Sequence, residues 1–174
     1  MSFSKDNLKD KAVICLAAGK SQTPLIIKAK SLGYKVVTID QNRKALGFRY
    51  ADYKIYISTH DSKNIIIELK KLETRIEFIG ILNRSSGIPV ITAAELSKHF
   101  NIPGVPIKSA KILLNKNKMR QGCTKHNIPS PDYKIYSVNK FSYEINKFPI
   151  VIKPALSHVG KSGVSVVYKN NTIN

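Results

Sequence analysis

Hydrophobic positions in the first hundred residues fall into short continuous runs separated by stretches of helical spacing. Lys11 to Ala17 is such a run, the mark of a strand covered on both faces; it stops at Ala18-Gly19, a turn into Pro24, Leu25, Ile26, Ala29 and Leu32 at helical spacing. Gly33 closes that helix. Lys35 to Asp40 predicts a second strand and Lys54 to Ile57 a third, and Asp61 is placed to cap a helix carrying Ile65, Ile66, Leu69 and Leu72. A fourth strand is expected at Phe78 to Leu82, then a polar turn at Asn83 to Gly87, a helix from Pro89 through Phe100, and a linker at Asn101 to Pro106. Strands alternating with crossover helices imply an α/β fold with a doubly wound parallel sheet, whose ligands lie beyond the carboxyl ends of the strands.

The texture changes after the linker. Ser109 to Leu114 and Lys116 to Asn127 read as short helices, Ile128 to Pro131 as an extended connector, Tyr133 to Tyr136 as a strand, and Phe141 to Lys147 as another short helix. Phe148-Pro-Ile-Val-Ile-Lys153-Pro154, a loop through Gly163 and the run Val164 to Tyr168 then predict a strand-loop-strand hairpin. The two expected domains are residues 1–108 and 109–174.

Composition narrows the class. A chain of 174 residues with 43% hydrophobic content can build a core without staples. Its longest apolar runs fall far short of the roughly 20 residues of a membrane span, and its first residues are polar, so a cytoplasmic protein is expected. Two cysteines, Cys15 and Cys123, have no framework or ligand spacing. The net charge of +18 is the footprint that a nucleic-acid binder would leave. However, only Arg43, Arg49, Arg75, Arg84 and Arg120 among the 29 basic residues are arginines, which tells against dedicated base or phosphate-fork readout. From Ser109 onward the only acids are Asp132 and Glu144.

Several motifs have modest readings. Gly19-Lys20-Ser21 lacks the earlier glycine of a phosphate-binding loop, because Ile14 stands there. Ala17-x-Gly19-x-x-Gln22 keeps only the middle glycine of a dinucleotide fingerprint, so Asp40 is expected to be a strand-end acid without a cofactor. His60, His99, His126 and His158 are scattered, and His158 draws interest only by its place in the hairpin loop. Tyr50, Tyr53 and Tyr56 are expected to edge the sheet. Arg84, Ser85 and Ser86 lie beyond the fourth strand, where sheet topology places ligands, and are candidates for an acceptor substrate.

The hairpin carries the strongest signal. A lysine leaving a buried strand, here Lys153, aims its ammonium below the hairpin, and Gly160, Lys161, Ser162 and Gly163 form a loop able to lay N–H groups and a hydroxyl on phosphate oxygens. Lys118 in the run Lys111 to Gln121, the connector His126-Asn-Ile-Pro-Ser-Pro131, the Phe148 to Pro154 strand and the Gly160 to Val167 loop follow in the order and spacing of the ATP-grasp superfamily. There the pattern resembles a "DK", a "G-x-P-x-P" connector, a "(Y/F)P-x-(V/I)-(V/I)-K-P" strand and a glycine-rich lid ending in "G-V-x-x-V". The first hundred residues are similar to the Rossmann-like pre-ATP-grasp domain of carbamoyl-phosphate synthetase, biotin carboxylase and purine-biosynthesis relatives.

The resemblance implies a pre-ATP-grasp domain followed by part of an α+β ATP-grasp lid. It also implies a ligase that turns a carboxylate into an acylphosphate for attack by an amine or other nucleophile. Lys118 and Lys153 would contact ATP phosphates, Gly160 to Gly163 would form the lid, and His158 would be a lid contact. The partners would be ATP, a small-molecule carboxylate, a nucleophile and a second copy of the chain, with no membrane. Asn117 replaces the family's acid, and Leu156, Ser157, His158 and Val159 depart from the usual loop, which is one residue longer here. In the family the Mg²⁺ carboxylates and the catalytic arginine follow the lid, so the expectation is an N-terminal fragment that is inactive alone, with its metal ligands beyond residue 174. The alternative, from a different class, is a basic, non-enzymatic nucleic-acid-binding module.

Overall fold

A computed structural model describes residues 11–137, 148–156 and 163–169. The chain divides into two units, Met1–Ala110 and Lys111–Asn174.

The first unit is built on four parallel strands, β1 (Lys11–Leu16), β2 (Lys35–Ile39), β3 (Tyr53–Ile55) and β4 (Glu77–Asn83), ordered β3-β2-β1-β4. α1 (Thr23–Ser31) connects β1 to β2, α2 (Ser62–Lys70) connects β3 to β4, and α3 (Ile88–His99) follows β4. Side chains alternate along a strand, so β1 feeds two cores. Ala12, Ile14 and Leu16 join Val37, Ile39, Ile55 and Phe78 against Ile65 and Leu69 of α2 and Leu96 of α3. Val13 and Cys15 join Val36 against Ile26 and Ala29 of α1. Burial on both faces explains the unbroken apolar runs, each large side chain contributing about 1.5–3 kcal/mol. The α/β doubly wound parallel sheet is therefore as expected from the sequence.

Local signals set the boundaries. Pro24 sits in the first turn of α1, and Gly33 at φ +88 turns the chain out of it. Asp61 caps α2 by accepting from the Asn64 backbone N–H at 3.1 Å. Asp52 holds the start of β2, its Oδ2 accepting from the Val36 N–H at 2.8 Å while Lys30 pairs with Oδ1 at 2.6 Å. One element escaped the pattern: a 3₁₀ turn, Leu46–Arg49, which follows β2.

The second unit contains α5 (Lys116–Lys125), which follows α4 (Ile107–Leu114), and an antiparallel pair, β5 (Ile150–Ile152) and β6 (Ser165–Val167). The expected hairpin strands are present but shorter. Helix α5 ends at Lys125 rather than Asn127, which adopts φ +54 past the helix end. Tyr133 to Tyr136 is not a strand. It follows two prolines and pairs with no described strand. The expected helix at Phe141 to Lys147 lies outside the described residues.

Candidate functional site

In the order β3-β2-β1-β4, connections from β1 lead to one side for β2 and β3, and the chain returns to the other side for β4. The reversal between β1 and β4 opens a crevice at their carboxyl ends, bordered by the loop after β1 and the loop after β4. The β1 loop begins with a strained residue: Ala17 has φ +73 and donates its N–H to Ile39 O at 2.8 Å. That conformation costs an L-residue about 1–3 kcal/mol and persists only where its surroundings enforce it.

Asp40 supplies part of the enforcement. Its Oδ2 accepts from the Ala18 N–H and its Oδ1 from the Asn42 N–H, each at 2.8 Å. The acid at the end of β2 thus serves the turns of its own chain. From the other side Gly47 donates its N–H to Ala18 O at 2.7 Å. A Cβ on Gly47 would lie 2.6 Å from Ile26 Cδ1 and 2.8 Å from Ala18 O, so only glycine lets the 3₁₀ turn seat there.

The structure brings Arg84 and Ser85 to the crevice, as the topology predicts, but joins them to the β1 loop. Arg84 Nη1 donates to Ser21 O at 3.0 Å, and Gln22 Nε2 donates to Ser85 Oγ at 3.3 Å. The Ser85 N–H is itself held by Asn83 Oδ1 at 2.9 Å. Two cross-braces therefore tie the loops into one rim. Ser86 is exposed beside them, and Gly87 at φ +80 leads into α3. Sequence reasoning missed the braces because nothing in the spacing of Ser21, Gln22, Arg84 and Ser85 announces a contact across 63 positions.

In the second unit, Lys118 lies in the first turn of α5, whose cap is Asn115: Oδ1 accepts from the N–H groups of Asn117 at 3.1 Å and Lys118 at 3.0 Å. The same helix start is clasped to the chain just past Lys153. Lys116 donates its N–H to Ala155 O at 2.8 Å, and Asn115 forms an antiparallel bridge with Leu156. Gly163 returns to this place at φ +71, where a Cβ would press on Pro154 Cγ at 3.0 Å. The helix start bearing Lys118, the strand exit bearing Lys153 and the residue that ends the expected lid are thus gathered together. Both lysines are exposed. Gly160, Lys161, Ser162 and His158 lie outside the described residues.

Among the described residues no group of three or more His, Cys, Asp or Glu side chains is placed to hold a metal ion. No helix among them is long and apolar enough to cross a membrane.

No family model matches the chain. It is 28% identical over 174 residues to the formate-dependent phosphoribosylglycinamide formyltransferase of Prochlorococcus marinus (strain MIT 9515), an alignment covering 94% of this chain and 42% of the relative. The chain thus spans about two fifths of the length of the curated relatives it matches. Among solved structures, N5-carboxyaminoimidazole ribonucleotide synthetase from Thermotoga maritima superposes with a TM-score of 0.64 at 22% identity, covering 94% of this chain and 44% of that one. N5-carboxyaminoimidazole synthetase from Staphylococcus aureus, complexed with ADP, gives 0.64 at 17% identity, with 97% and 45% covered. Identities this low establish the fold alone.

Proposed function

The chain is a homologue of the N-terminal part of ATP-grasp ligases, and from that premise we propose that it supplies the acceptor-binding rim and the phosphate-contacting lysines of such a ligase. In the reaction proposed, a carboxylate oxygen attacks the γ-phosphorus of ATP, ADP leaves, and an amine or other nucleophile displaces phosphate from the resulting acylphosphate.

The division of labour follows the two units. Lys118 and Lys153 are assigned to the ATP phosphates, and residues 160–163 to a lid that excludes water. Fixed ammonium groups suit this role because phosphoryl transfer is mainly positioning and charge stabilisation. The rim at the β1 and β4 carboxyl ends, with Arg84, Ser85 and Ser86, is assigned to the acceptor. Arg84 and Ser86 are exposed, and Arg84 and Ser85 shape the rim through their braces. The relatives' names point to a phosphoribosyl-linked small molecule as the acceptor class.

The observation that carries this reading is the clasp between the start of α5 and the chain after Lys153, which holds both lysine-bearing segments in one unit. Titration of ATP, with and without Mg²⁺, into the wild-type chain, Lys118→Ala and Lys153→Ala tests it. Charge-assisted hydrogen bonds contribute about 1.5–3 kcal/mol, so each variant is expected to lose roughly tenfold to a hundredfold in affinity. Unchanged affinity in both variants, or tight RNA binding with a steep salt dependence and no response to ATP, overturns the reading.

A further inference from the structure

We propose that the free edge of β4 is a docking surface for a second copy of this chain, the two β4 strands pairing antiparallel about a two-fold axis at Gly80. The inference stands apart from the proposed ligase chemistry.

The two edges of the parallel sheet are built differently. β3 forms one edge with only three residues, and its middle residue, Lys54, is exposed; short edge strands carrying lysine discourage pairing with another chain. β4 forms the other edge with seven residues, and from Phe78 to Asn83 it has no charged residue and no proline. Its ladder runs to β1, and among the described residues no other backbone–backbone hydrogen bond reaches it. One side of β4 therefore presents N–H and C=O groups to a further strand.

Gly80 marks the point of closest approach. Ala12 and Val13, consecutive in β1, stand opposite Phe78 and Gly80, so β4 bulges at Ile79 and bends there. Ile79 and Ile81 pack against the two cores, whereas a Cβ on Gly80 would meet nothing within 4 Å. A strand residue without a side chain, set at a bend, leaves room for another backbone.

The strand is also complementary to itself. With Gly80 opposite Gly80, Ile79 faces Ile81 and Phe78 faces Leu82, all apolar pairs, while Glu77 faces Asn83. Arg84 of one copy then follows beside Glu77 of the other. Both residues are exposed, and neither is in an ion pair among the described residues. Glu73 and Glu77 border an open cavity of about 460 Å³ at the start of β4, so the arriving guanidinium meets two carboxylates against one cation, Arg75. The two-fold axis makes this charge pairing twice. A single strand edge is small beside a standard interface, so a weak, concentration-dependent dimer is expected.

The test is sedimentation equilibrium of the wild type, Glu77→Arg, Arg84→Glu and the double variant, at moderate salt that screens the repulsion between two chains of +18. The wild type is expected to dimerise, each single variant to lose roughly tenfold or more in association, and the double variant to recover it by restoring opposite charges. Oxidative cross-linking gives a second readout that does not depend on the charge variants. In a Cys123→Ser background, with Cys15 buried, Gly80→Cys is expected to yield a disulfide-linked dimer, because opposed residues of antiparallel strands lie about 4.5–5.5 Å apart. Lys54→Cys on the other edge is expected to stay monomeric. The Gly80→Cys side chain meets no neighbour, so its circular dichroism and melting are expected to match the wild type. A wild type that is monomeric at every concentration, a dimer that Gly80→Cys does not cross-link, equal cross-linking at Gly80 and Lys54, or a folded double variant without recovery overturns the proposal.

Discussion

The two units of this chain hold their shape by different means. Among the described residues, every buried apolar side chain from Ala12 to Ala110 belongs to the first unit, and Val167 alone belongs to the second. In the second unit, Leu113, Val151, Leu156, Val166 and Tyr168 are at least half exposed. Its described segments are instead held by backbone connections: the Asn115 cap, the Lys116 to Ala155 hydrogen bond, and the short ladder between β5 and β6. The first unit shows how far apolar periodicity can specify a fold, and the second how a few polar clasps can join segments that bury little apolar surface among the described residues.

The largest contrast lies in the two thiols. Burial pushes Cys15 up to about 12, whereas Cys123 of α5 is only partly covered. At pH 8 the Cys15 thiolate is depleted on the order of a thousandfold relative to an unperturbed thiol. A disulfide reagent is therefore expected to label Cys123 rapidly in the native protein and Cys15 only after unfolding. Fast labelling of both breaks the contrast.

Truncation in the core comes next. Leu96→Ala removes a fully buried side chain packed against the sheet and is expected to cost about 2–5 kcal/mol, lowering the melting temperature by roughly 5–15 °C. Val166→Ala, on the exposed face of β6, is expected to stay within about 0.5 kcal/mol of wild type. Equal costs for the two would mean that the second unit has a core of comparable weight.

A smaller change sharpens the account of the first unit. Thr38 Oγ1 is buried in β2 with no hydrogen-bond partner. Thr38→Val removes that unsatisfied group at nearly constant volume, so denaturant titration is expected to show stabilisation of about 1 kcal/mol or less. A clear loss would reveal a polar contact to Thr38.

The smallest effect is expected in acid. The Asn64 side chain first, and then its backbone N–H, hold the Asp61 carboxyl below its ordinary value near 3.8. The capping contribution is complete above that ordinary value and fades as pH falls through the lowered one. Asp61→Asn keeps a capping oxygen without a titration, so stability is expected to decline less steeply with acid below about pH 4. An unchanged slope would place the acid sensitivity elsewhere.

Most of the first unit could be read from its residues because its central strands β1 and β2 are covered on both faces and its helices carry local starts or stops, such as Pro24, Gly33 or Asp61. Tyr133 to Tyr136 misled for a physical reason: aromatic and β-branched residues suit a strand, but a strand also needs a neighbour, and pairing is not a local property. The placement of the candidate residues was readable from the sequence, and their contacts were not. Topology placed Arg84 and Ser85 at the right end of the sheet, yet their hydrogen bonds to Ser21 and Gln22 depend on how two loops meet.

The bridge between Asn115 and Leu156 also sets a schedule for synthesis. Its two residues lie roughly forty positions apart, so closing that segment costs about 3 kcal/mol of chain entropy before the clasp gives anything back. While the chain leaves the ribosome from its amino end, the whole parallel sheet can assemble before Leu156 has been made. The helix start bearing Lys118 has to wait for its clasp, so the proposed phosphate lysines come together only after the acceptor rim already exists.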